Sequence, residues 1–412
     1  MSRFIPREAF ALPALLIVLG TSAAVAPVAQ AAGSWSSPVP LPGLCGGAIA
    51  VNAAGAQVTA GFSNANMSVQ ACTSPDGHTW SAPVTLAPGI SPAVAIAPDG
   101  RAVAVWDGGP GTAAILQASV RPPGGQWSAP VTLATDYGQP VIGIDGSGNA
   151  VAAWVAANGA IDTASLPAGG TWTAVTTVAA RGQALNLAVN STGAAIITWG
   201  TRSATVADSG TVLGGFGTPA NVGFAPSYPV GHTHVALNAS GQAALVWTTG
   251  VANWAATRSA AGTWSTQTQL SANPDGPVDV AIDGAGDAIA IFEQLQAAGS
   301  NYTAVAYTSK RPAGGTWAPP ALLSVPGDNA TGSRAVADTA GTFVVAWQDR
   351  TTQSLNTTPT LNVVTSPPGG GFGPAVTFPG VLGDLKIAPG HAVLTFAPCC
   401  SSSMMASSEQ VS

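Results

Sequence analysis

Short apolar runs recur along the chain, and each closes on an aromatic residue. They read RAVAVW (Arg101–Trp106), NAVAAW (Asn149–Trp154), AAIITW (Ala194–Trp199), QAALVW (Gln242–Trp247), DAIAIF (Asp287–Phe292) and FVVAW (Phe343–Trp347). Small and β-branched residues fill them without strict alternation, so they predict short strands covered on both faces. Turn signals stand in front of four of them: IDGSGNA from Ile144, VNSTGAA from Val189, LNASGQA from Leu237 and IDGAGDA from Ile282. There the Asp or Asn side chain caps a turn, and the Gly three residues later supplies a positive φ.

A second line alternates with the first. HTWSAPVTL (His78–Leu86), GGQWSAPVTL (Gly124–Leu133) and GGTWAPPALL (Gly314–Leu323) are copies of it. Its aromatic falls at Trp35, Trp80, Trp127, Trp172, Phe216, Trp264, Trp317 and Phe372, at spacings of 44 to 55 residues. The aromatics of the apolar runs interleave at Phe62, Trp106, Trp154, Trp199, Trp247, Phe292, Trp347 and Phe396. Each period therefore predicts four strands: A (as in SPAVAIA), B (RAVAVW), C (AILQASV) and D (WSAPVTL). A four-strand unit at this period is the sequence form of a β-propeller blade, which buries its two faces only against neighbouring blades. Strand D occurs once before any A, B or C, as SWSSPVPL, and the last period ends after C. The two fragments complement each other. The expected fold is all-β, an eight-bladed β-propeller of four-stranded antiparallel blades whose last blade pairs the N-terminal strand D with C-terminal strands A–C. On this reading the repeated aromatics are packing residues rather than ligand stacks.

Composition adds the compartment. Arg3 and Arg7, the apolar run ALPALLIVLG and the small-residue stretch ending in AQA predict a signal peptide over residues 1–31, with a single propeller domain over 32–412. The apolar run is short for a membrane span, so a secreted, extracellular chain with no membrane insertion is expected. Only 7% of residues are charged and the net charge is −6, which argues against nucleic acid as a partner. Export permits disulfides. Of the four cysteines, Cys45 is placed at the start of the first strand A, and Cys399 and Cys400 follow the last strand B, so a ring-closing bridge from Cys45 to Cys399 or Cys400 is expected. The lack of C-x-x-C with nearby His leaves a zinc site without support.

SPDGHTW (Ser74–Trp80) resembles the Asp-box of the sialidase-like (BNR repeat) propellers, S-x-D-x-G-x-T-W. Ser74, Asp76, Thr79 and Trp80 match, whereas Gly77 follows Asp76 directly and makes the copy one residue short. Other copies, such as RPPGGQW and RPAGGTW, lack the Asp. The resemblance implies a propeller fold and a structural turn at Ser74, Asp76, Gly77 and Trp80. A sialidase would further need an Arg cluster, a Tyr paired with Glu, and an acid/base Asp. Arg181, Arg202, Arg334 and Arg350, with Tyr137 and Tyr228, are the residues of those types, but their local sequence matches none of the family's catalytic motifs. The family's catalytic ring also has six blades.

The D–A and B–C loops are uneven in length, and added loops on a rigid scaffold carry function. They point to Tyr228, His232, His234, Glu293, Asn301, Tyr302, Asp328, Arg334, Asp349 and Arg350 as ligand-binding candidates. The HTH at His232–His234 sets two imidazoles on one face of a strand without an identifiable third metal ligand. Asp145 and Asp283 could offer Ca²⁺ a carboxylate, but the same turn recurs with Asn, so hairpin capping accounts for them and no cofactor is expected. The sequence thus predicts a monomeric, non-catalytic extracellular binding module. Its partner is a glycan or a protein. A lectin-like role and a sialidase-like hydrolase are the alternatives.

Overall fold

Strands account for all the regular structure of the computed structural model. It describes residues 35–411 apart from 44, 109–114, 136–137, 225–229, 299–300, 352–357 and 399–403. They fall in one compact unit, Gly33–Ser412. Seven antiparallel sheets form. The largest holds two four-strand meanders, which share the long strand Val84–Ile96: its first residues pair outward with Ser68–Ser74, and its last pair with Ala102–Gly108. The pairings thus define eight meanders, numbered here by their innermost strands. These are I Ala48–Val51, II Val84–Ile96, III Val141–Ile144, IV Gln183–Val189, V His232–Leu237, VI Pro274–Ile282, VII Asp328–Ala337 and VIII Val381–Ala388. The innermost strands touch in chain order, and that of VIII touches that of I. In VIII the fourth strand is Val39–Pro40, paired with Met405–Gln410 through Val39↔Ala406 and Pro40↔Met405. The complementary fragments at the two ends of the repeat predict this pairing.

Packing explains why the apolar runs lack alternation. Trp106, Trp154, Trp247 and Phe292 on the second strands are fully buried, and Trp199, Trp347 and Phe396 nearly so. One core cluster joins residues of meander II to residues of III around Trp154, with Trp172 laid against it. Another joins IV to V around Trp247, with Trp264 beside it. The pattern repeats for VI with VII and for VII with VIII. Meanders II to VII are therefore apolar on both faces because each face is covered by a neighbour, and burying one such aromatic contributes about 2–3 kcal/mol. The fourth strands are shorter than the sequence suggests. Residues 127–130 are irregular, and the strand begins only at Val131, past Pro130. The same start, four residues past the aromatic, holds after Trp172 and Trp264, where no proline intervenes.

The first turn of six meanders, all but II and VIII, follows the predicted chemistry. The Oδ1 atoms of Asn52, Asp145, Asn190, Asn238, Asp283 and Asp338 each accept the amide four residues on, at 2.8–3.1 Å. Gly193 takes the left-handed conformation with φ +86°. Where the residue is Asn, Nδ2 also donates to a turn of the next meander: Asn52 to the Ala97 carbonyl, Asn190 to that of Asn238, and Asn238 to that of Asp283. Asp145 and Asp283 spend their carboxylates on the turn, in keeping with capping.

The cysteine expectation is corrected. Cys45 is bonded to Cys72, with Cα atoms 5.7 Å apart, and both are fully buried. Cys399 and Cys400 lie outside the described residues. Cys72 sits on the third strand of meander I, and the chain entering that meander folds back over it. The bridge is therefore local to one meander, where the repeat count alone favours a bridge across its ends. Replacing Cys72 with Ser should lower unfolding stability by about 2–4 kcal/mol in denaturant melts. Non-reducing peptide mapping should yield a Cys45–Cys72 peptide.

Candidate functional site

A single register position carries half of the charged residues of the innermost strands, Asp279, Arg334 and Asp384. Thirteen residues before the buried aromatic stand Ala93, Val141, Asn186, His234, Asp279 and Arg334 in meanders II to VII. Each pairs with the residue just ahead of that aromatic, as in Asp279↔Ile291 and Arg334↔Ala346. Asp384 holds the matching place in VIII, opposite Thr395. The position is apolar in II and III and polar from IV through VIII. The register slips immediately before it in II, IV, VII and VIII and one residue earlier in VI. A left-handed residue sits at four of those slips: Ser91, Ala184, Gly276 and Gly332. For Ser91 and Ala184 this conformation costs about 1 kcal/mol or more. Such slips re-aim the side chain that follows them.

Several of these side chains tie one innermost strand to the next. Asn186 Oδ1 accepts the Val235 amide at 3.1 Å. Asp279 Oδ2 accepts the Ala335 amide at 3.1 Å, and Asp384 Oδ2 the Ile49 amide at 3.3 Å. His234 Nδ1 lies 2.9 Å from Asp279 Oδ1. Burial opposes the charge on Asp279, but His234, Arg334 and the Ala335 amide overcome it and hold the carboxyl below its usual range. Arg334 donates to the Ser333 carbonyl at 2.9 Å.

Beside this chain lies a second buried acid. Glu293 is 1% exposed, and its Oε1 accepts both the Ser333 hydroxyl at 2.6 Å and the Ser333 amide at 3.1 Å. Burial pushes its carboxyl up to about 7; Asp275 adds to the rise, while Ser333 and Arg334 oppose it. His232, at the start of the strand of V, is held below the usual imidazole range, first by burial and then by His234 and Arg334. A cavity of about 490 Å³ opens here, lined by residues 139–141 with 155, 183–185 and 232–234. His232 and His234 thus face open space, with His234 bound to the buried Asp279 and Arg334 close by.

The sequence candidates divide accordingly. His232, His234, Glu293 and Arg334 come together. Asp349 forms a separate group on meander VII, accepting Trp347 Nε1 at 3.1 Å and Asn362 Nδ2 at 2.9 Å. Burial, with Asp328 adding to it, raises its carboxyl to about 6. Arg350 is exposed on the same strand. Tyr302 is 72% exposed on the strand Asn301–Arg311 of meander VI. Tyr228 and Tyr137 lie outside the described residues. Arg181 and Arg202 are both exposed. Asp279 and Ser333 escape a reading by loop length because they lie within strands. Counting thirteen back from each aromatic would have found Asp279, as an acid where meanders II and III carry Ala and Val. The turn at Ser74 closes on itself: Asp76 Oδ1 accepts the His78 and Thr79 amides at 2.8 and 2.7 Å, and Ser74 Oγ accepts that of Gly77. Those amides hold the Asp76 carboxyl down at about 2. Among the described residues no three His, Cys, Asp or Glu side chains gather as a metal site, and no helix is long and apolar enough to cross a membrane.

No family model matches the chain, and no curated protein matches it. Among solved structures it is similar to an ulvan lyase bound to its saccharide, at 10% identity over 91% of this chain and 93% of that one, with a TM-score of 0.47. It is also similar to a protein of unknown function from Dyadobacter fermentans, at 11% identity over 92% and 100%, TM-score 0.43. A third is the six-bladed fucose-recognising lectin of Aleuria aurantia, at 15% identity over 70% and 100%, TM-score 0.38. Likenesses of this size carry no argument about ligand or activity.

The buried acid makes a pH prediction. A carboxyl raised in the folded state from 4.5 to about 7 costs nothing below pH 4.5 and its full penalty above pH 7, so stability falls as pH rises between them. Glu293→Gln should remove on the order of 2–3 kcal/mol of that decline, read as the difference in urea melts at pH 5 and pH 8. Equal slopes in both proteins would contradict the assignment.

Proposed function

We propose that residues 32–412 form an eight-bladed β-propeller, exported behind the signal peptide, that works as an extracellular binding module. The ring reading is supported by the contact of meander VIII with I and by the fourth strand that Val39–Pro40 lends to VIII. The ligand is a glycan bearing acid groups, held at the cavity beside His232, His234 and Arg334. One observation carries this: the imidazoles of His232 and His234 line about 490 Å³ of open space, with Arg334 near enough to act on the charge of His232, while Asp279 and Glu293 stay buried behind them as positioning groups. Guanidinium and imidazole donors suit carboxylate, sulfate and hydroxyl oxygens alike. A non-catalytic role follows from the burial of Glu293. Its raised carboxyl falls in the range of a general acid, but the group is closed off and engaged by Ser333.

The test is an array of neutral and acidic polysaccharides probed with the mature chain and with Arg334→Ala and His232→Ala. Saturable binding to acidic glycans, at least tenfold weaker in both variants with melting temperatures unchanged, is the expected result. Binding to no glycan, or binding indifferent to both changes, would overturn it. Release of reducing or unsaturated ends from a bound glycan, abolished by Glu293→Gln, would turn the reading toward an enzyme.

A further inference from the structure

Two equivalent grooves, each between the outer parts of neighbouring meanders, differ in what fills them. Between VI and VII, Lys310 reaches across the groove. Its Nζ stands 4.7 Å from the centre of the Phe372 ring and donates to Ser366 Oγ and the Gly370 carbonyl, each at 3.2 Å. About 150 Å³ remains open, and Asp287 stands in the lining. Between II and III the repeat puts Val120 where Lys310 stands, since Val103↔Val120 and Ile289↔Lys310 are equivalent pairs. Leu166 replaces Ser366, and Trp172 replaces Phe372. The groove there is about 640 Å³. The charge at one lining position is also reversed, because Arg101 takes the place of Asp287 four residues after the turn-capping position, whereas the cations of the sister groove, Lys310 and Arg311, stand on its third strand. Arg101 is 7% exposed and donates to the Gly148 and Pro167 carbonyls, which fixes its guanidinium in the lining. Asp99, also in the lining, is exposed and accepts the Arg101 amide at 2.8 Å.

We infer that the groove between meanders II and III is a second binding site, which takes a small apolar molecule with a ring system and an anionic end. The ring system lies on Trp172 between Pro122, Val131 and Leu133, in the volume that a lysine stem occupies in the sister groove. The anionic end faces Arg101. Three features carry the assignment: the apolar lining, a buried cation within it, and a sister groove of the same fold already filled by its own side chain. A glycan is a poor fit, because sugar hydroxyls would lose water against that lining.

The probe is 1-anilinonaphthalene-8-sulfonate, titrated into the folded mature chain by fluorescence, beside the uncharged N-phenyl-1-naphthylamine. One saturable site is expected, with the sulfonate bound more tightly. Val120→Lys should refill the groove as Lys310 does and weaken binding at least tenfold, although it adds a positive charge. Val120→Ser, which installs the small polar residue that Ser165 supplies in meander III, should keep it. Tighter binding in Val120→Lys would show attraction to surface charge and overturn the proposal. So would undiminished binding in that variant, or preference for the uncharged probe. Because the groove is separate from the cavity at His232, Arg334→Ala should leave probe binding unchanged, so this site stands or falls independently of the glycan reading.

Discussion

Covering two apolar faces per meander is the constraint on which the rest depends. A four-strand meander of small and β-branched residues presents one apolar face to each side, and neither can be left in water. Sequential packing solves this for every meander that has a neighbour. The fully buried Trp106, Trp154 and Trp247 mark the centres of those contacts, and the Trp or Phe ahead of each fourth strand covers their outer flank. Polar features gather in the turns at one end and along the innermost strands, with a few buried acids such as Glu293 and Asp349 on the second strands.

Those strands show how a repeat becomes asymmetric without losing its frame. The position thirteen residues before each aromatic keeps its backbone pairing whatever residue it holds. In II and III it is Ala or Val. From IV to VIII it carries Asn, His, Asp, Arg and Asp, and three of these side chains accept an amide of the following strand. Much of this polarity is thus consumed in joining neighbours. The part left for a ligand is what those joints do not use, chiefly His232 and Arg334. Burial of Asp279 and Glu293 beside them is tolerable only because His234 and Ser333 satisfy the carboxylates.

The repeat was legible because aromatic spacing and Asn/Asp–Gly turns are local chemistry. So was the fourth strand of meander VIII, which follows from counting. Strand D was placed too early, since Trp127 signals the strand but the ladder starts four residues later, as it does after Trp172 and Trp264. The cysteine pairing was missed because connectivity depends on which strands fold back on one another, and Cys45 meets Cys72 through the path of residues 41–47 rather than through the repeat. At the candidate site, His232, His234, Glu293 and Arg334 were named separately for residue type and loop length. That they meet depends on the registers of three strands, which no stretch of sequence displays by itself.

The strand Val39–Pro40 has a consequence for synthesis. Its partner lies some 370 residues later, and Ser36 Oγ meets Ser408 Oγ across 372 positions at 3.4 Å. No earlier stretch of chain can supply that pairing, so a ribosome-bound chain carries residues 36–40 without their partner strand until residue 410 has emerged. Long-range pairing of this kind slows folding, and open strand edges invite association with other chains. The protein is therefore most exposed to aggregation in the interval before its last strand arrives, a hazard set by connectivity and not by any weakness in the finished sheets.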